Sequence, residues 1–115
     1  MKLPLQVVFL GMATSPAVEA QAVRRAQALD RYAGNLMACR VEVAQLQKHR
    51  HQGQPFGVRI QLTLPGHHLS VDHVQHEDVY VALRDAFADI RRQLQDVVRR
   101  DRGEVKLHAG PAVPG

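Results

Sequence analysis

Seven histidines in a 115-residue chain first invite chemistry, with His49, His51, His67, His68, His73 and His76 crowded into the middle of the sequence. A zinc site needs three or four ligands converging at about 2.0 to 2.1 Å, usually with Cys or carboxylate help. These histidines fall in turns and strand ends, His67 and His68 point to opposite faces of one strand, and no His-Glu-x-x-His pattern occurs. Solvated histidines are the simpler account, and no metal or other cofactor is expected. The single Cys39 rules out an intramolecular disulfide framework and a multi-Cys zinc site, and it sits on the apolar phase of a strand, where an inert thiol belongs. Ser15 is explained as a helix cap, and no nucleophile elbow, phosphate-cradling loop or dinucleotide fingerprint is present. Asp85, Asp89 and Asp96 form a row of carboxylates, but beside arginines on an exposed helix flank salt-bridging accounts for them. Neither a catalytic constellation nor a small-molecule substrate is expected, so the chain does not read as an enzyme.

The arginines are the stronger signal. Lys and Arg number 15 against 11 Asp and Glu, a formal charge of +4, and 12 of the 15 are Arg. Arg offers a planar fork suited to bidentate phosphate contacts, which Lys lacks. Arg84, Arg91, Arg92 and Arg99 share one flank of a long helix, with the Asp row on the other, and Arg100, Arg102 and Lys106 extend its end. In an earlier helix, Arg24 and Arg31 line up on the solvent side with Arg25 near the core boundary. Such rows can track a phosphate backbone, and they are also what the solvated face of a soluble helix looks like. Aromatic residues make up only 4% and fall mostly in core phase. Base stacking on exposed rings is therefore disfavoured, and structured RNA read by shape and phosphate is the more consistent target.

These residues need elements to position them. Residues 5–11 read as a first strand, closed by Gly11. Ser15-Pro16 starts a helix that runs to about Tyr32 or Ala33, with Val18, Ala22, Ala26, Leu29 and Ala33 as its buried face and Gly34-Asn35 as its stop. Residues 37–48 alternate, with Cys39, Val41 and Val43 opposite Arg40, Glu42 and Ala44. Alternation resumes from Phe56 through Leu64, and Leu69 and Val71 suggest a third member of this meander after the Pro65-Gly66 turn. A helix from about Glu77 to Arg100 carries Val79, Leu83, Ala86, Phe87, Ile90, Leu94 and Val97 within an arc of about 100°. The expected fold is α+β and two-layered, in the order β-α-β-β-β-α, with two helices on one face of a four-stranded sheet. Residues 1–106 form the domain, and the Pro/Gly-rich residues 107–115 read as a flexible tail. No stretch reaches about 18 uninterrupted apolar residues, so no membrane partner is expected.

The run from His76 to Leu94, with its Glu77-Asp78-Val79-Tyr80-Val81-Ala82 opening and Arg92-Gln93-Leu94 close, resembles the second helix of the ribosome hibernation promoting factors and ribosome-associated inhibitors, also called sigma-factor modulation proteins. Ser15-Pro16-Ala17-Val18 resembles that family's first helix start, and Leu62 to Gly66 its strand-to-turn step. The resemblance covers about residues 5–100 and is to the short, single-domain form. It implies a fold similar to double-stranded RNA-binding domains. It also implies binding of the small ribosomal subunit and its rRNA in the messenger and transfer RNA channel, silencing translation and stabilising idle ribosomes under stress or in stationary phase. Arg25, Arg31 and Arg92 match basic family positions, whereas Ala28, Asp89 and Asp96 stand where relatives often carry Lys. Arg84, Arg91, Arg99 and Arg100 restore the cationic surface on a shifted flank. Met1-Lys2 and the apolar run after it resemble a short leader, but the resemblance makes that run the first strand of a cytoplasmic protein. Two other classes stay open: a protein-interaction module using the open sheet face or an edge strand, and a His-based metal-binding protein.

Overall fold

The computed structural model of the protein describes residues 3–46 and 55–103. Its elements are β1 (Leu5–Leu10), α1 (Pro16–Ala33), β2 (Ala38–Gln45), β3 (Phe56–Leu64), β4 (His67–His76) and α2 (Val79–Asp101). The strands form one sheet in the order β1-β2-β3-β4. β1 runs parallel to β2, with α1 as the crossover, and β2, β3 and β4 form an antiparallel meander. This is the expected α+β arrangement. The last two residues of the expected strand at 37–48 and the expected tail at 107–115 fall outside the described residues.

Local chemistry sets the boundaries. Ser15 is extended and its side chain accepts from Val18 N at 3.3 Å, while Pro16 takes the first helical position, where a missing N–H costs nothing. At the other end Gly34 adopts φ 79°, which only a residue without Cβ takes freely, and its N–H donates to Asp30 O at 2.7 Å. α2 begins two residues later than its acidic opening suggests. Asp78 is its cap rather than its first turn, and one carboxylate oxygen, Oδ1, accepts from Tyr80 N at 2.8 Å and Val81 N at 3.4 Å. Pro65 is barred from positive φ, so the hairpin between β3 and β4 places it on Gly66, at 78°.

The alternation of β2 and β3 puts Cys39, Val41, Val43, Val58, Ile60, Leu62 and Leu64 on the helix-facing side, where all are buried. Against them lie Ala22, Ala26 and Leu29 from α1 and Leu83, Phe87, Ile90 and Leu94 from α2. α2 packs on β3 and β4, and α1 packs on α2 and β1. β4 extends well beyond Leu69 and Val71. Ile60 pairs with Val71 but Val58 with Val74, so three positions of β4 span two of β3. That bulge returns Val74 to the inner face although its sequence phase is the opposite one. The open face is polar and internally satisfied. Arg40 Nε donates to Glu42 at 2.9 Å and Arg40 Nη1 to Gln6 at 3.0 Å, with Arg59 3.9 Å from the same Glu42 carboxylate.

Candidate nucleic-acid interface

α1 and α2 are in contact, and an open groove of about 220 Å³ lies between them. It is lined by Arg25, Ala28 and Leu29 from α1 and by Arg84, Phe87, Ala88 and Arg91 from α2. Ala28 and Ala88 supply little bulk to fill it, and three arginines border one concave surface. The guanidinium of Arg91 lies over the ring of Tyr32, 5.5 Å from its centroid, within cation–π range. Arg84 pairs with its neighbour Asp85 at 3.1 Å through both Nε and Nη2. Arg24 and Arg31 are exposed on α1, Arg31 in its last turn, where a cation is favoured by the helix dipole. Arg99, Arg100 and Arg102 are exposed at the far end of α2, and Lys106 lies outside the described residues.

Arg92 does not join this group. It pairs with Asp89 one helical turn back and lines a separate, larger groove of about 570 Å³ with Val71, Asp72, Val74, Gln93 and Asp96. Gln93 Nε2 donates to Ser70 O at 3.0 Å, which fixes this side of the helix against β4. The sequence reading of four arginines on one flank and three aspartates on the other is therefore corrected. Two of those arginines are held by acidic neighbours, and one faces the acidic side. At 100° per residue Arg92 stands nearer to Asp85 and Asp96 than to Arg91, which is the physical reason.

The other chemistry-bearing residues are absorbed by structure. Cys39 is 3% exposed, and burial pushes its thiol up from 9.0 to about 12, so it stays protonated and non-nucleophilic. His67 and His68 do face opposite ways: His67 reaches Asp101 of α2 at 3.4 Å, and His68 meets Thr63 on the open face at 3.1 Å. The Nδ1 of His76 accepts from Asp78 N at 2.9 Å beside the α2 cap. Among the described residues, no three His, Cys, Asp or Glu converge as metal ligands. Tyr32 was the residue missed by sequence reasoning. Core phase alone gives no sign that its ring serves an arginine from another helix.

A family model described as Sigma 54 modulation protein / S30EA ribosomal protein matches residues 5–102, nearly the whole described chain. The chain belongs to this family. S30EA proteins are ribosome-associated factors, a type distinct from enzymes. Among solved structures, the N-terminal domain of Protein Y from Thermus thermophilus is similar at 21% identity, covering 85% of this chain and 97% of that one, with a TM-score of 0.67. A ribosomal subunit interface protein from Coxiella burnetii is similar at 15% identity, covering 83% and 97%, with a TM-score of 0.71. At these identities the likeness establishes the S30EA fold. No curated protein matches the chain.

Proposed function

We propose that this S30EA-family protein binds the small ribosomal subunit in the cytoplasm, where messenger and transfer RNA would otherwise lie. In this reading it silences translation and stabilises idle ribosomes under stress or in stationary phase, without catalysing a reaction. The observation that carries the proposal is the groove where Arg25, Arg84 and Arg91 from two helices converge on one exposed surface. Arginines brought together from separate helices can meet several phosphates of a folded RNA at once, each through a forked pair of donors. The family match supports the ribosome as the source of that RNA. Arg24 and Arg31 extend the cationic surface along α1, and Arg99 and Arg100 in the last turn of α2 and Arg102 at its cap extend it at the other end. Lys106 belongs to the same proposed contact set, and Arg92 joins it only when released from Asp89. Aromatic stacking on bases plays little part, since Tyr80 is the one large exposed ring among the described residues.

The test is co-sedimentation with purified small subunits across a salt series. Each phosphate contact adds about −0.7 to −0.9 to the log–log slope of affinity against salt. The triple variant Arg25→Ala, Arg84→Ala, Arg91→Ala is expected to bind at least tenfold more weakly and with a shallower slope. Binding that ignores salt, or a triple variant that binds like the parent, refutes the proposal.

A further inference from the structure

The three groove arginines differ in what already occupies them. Arg84 spends two of its N–H groups on Asp85. Arg91 has no ion pair among the described residues, and its guanidinium carbon instead lies over the Tyr32 ring, 5.5 Å from the centroid. A cation over an aromatic ring is held by the ring's quadrupole and not by a hydrogen-bond acceptor, so the guanidinium keeps N–H groups with which to donate. A phosphate binds to those N–H groups. The ring therefore restrains a long side chain, whose rotamer freedom is otherwise lost on binding, without consuming a donor.

We infer that Tyr32 is a positioning residue for phosphate recognition: its ring, at the end of α1, pre-sets the Arg91 guanidinium of α2 at the groove for a phosphate of structured RNA. This rests on the RNA reading proposed above and adds a residue that composition and charge do not reveal. The role belongs to the ring and not to the hydroxyl. It acts through Arg91, so it vanishes when Arg91 is absent.

The experiment measures affinity for purified small ribosomal subunits at one fixed salt concentration, with thermal melting of each free variant alongside. Tyr32→Phe keeps the ring and is expected to bind like the parent. Tyr32→Leu keeps apolar bulk against the core and is expected to bind about two- to fivefold more weakly, the range of an exposed cation–π contact. In an Arg91→Ala background the same Tyr32→Leu change is expected to do nothing further, whatever it does to melting. Equal weakening in both backgrounds, or none in either, overturns the inference. If Tyr32→Leu does not fold, Tyr32→Trp replaces it, and binding at or above the parent level, lost with Arg91→Ala, supports the same role; weaker binding overturns it. The Arg25, Arg84 and Arg91 triple variant separates the two levels. Its loss of binding with Tyr32→Leu unaffected removes only the role of Tyr32, whereas its full binding removes the RNA reading as well.

Discussion

A guanidinium contributes to phosphate binding only with the donors it has left. Arg92 is tied to Asp89 and shares the groove against β4 with Asp72 and Asp96. An exposed pair of this kind is worth about 0.2 to 1 kcal/mol, too little to matter for folding but enough to discount one phosphate contact. Asp89→Asn is therefore expected to tighten small-subunit binding by about threefold while leaving the melting temperature within error. Weaker binding by that variant would show that Arg92 does not reach the RNA. The i, i+3 spacing of Asp89 and Arg92 was visible in the sequence, and it is the reason such a pair forms. The Arg84–Asp85 pair carried no comparable signal, because adjacent helical residues point about 100° apart and meet only when a long side chain folds back.

Capping and periodicity are local, and most elements obey them. Ser15-Pro16 and Gly34 bracket α1 because a side-chain acceptor, a fixed φ and a left-handed residue act within one turn of chain. The strict alternation from Val58 to Leu64 likewise yields β3 with its apolar side inward. β4 was only partly legible, because its inner face switches phase between Val71 and Val74, and a bulge is a property of two paired strands rather than of one. The same applies to the groove: Arg25, Arg84 and Arg91 are separated by up to 66 positions in sequence and share a surface only through helix packing. The caps give a direct prediction. Asp78→Ala removes the acceptor for two backbone N–H groups at the start of α2 and is expected to cost about 1 kcal/mol in urea unfolding, recovered largely by Asp78→Ser. A loss confined to binding, with unchanged stability, would contradict the capping role.

At the scale of the molecule, the sheet has one polar face closed by its own ion pairs and one face covered by two helices, so the cationic surface is carried by helix backs and not by strands. The fold persists in proteins only 15 to 21% identical to this one, which fits a core set by binary pattern more than by particular side chains. The parallel pairing of β1 with β2 has a kinetic consequence. Residues 38–101 hold the meander and α2, whose contacts are mostly between chain neighbours, whereas β1 has no fully buried residue and joins at the sheet edge across the α1 crossover. Local contacts close first because they lose less loop entropy. The meander and α2 should therefore condense before β1 and α1 dock, and native-state hydrogen exchange should find β1 amides less protected than those of β3. Uniform protection across the sheet would show a single cooperative unit instead. In the sequential case the groove between α1 and α2 is the last part of the molecule to exist, so a chain that has not finished folding presents α2's arginines but not the paired surface, and newly made protein cannot engage its target until the N-terminal unit has closed.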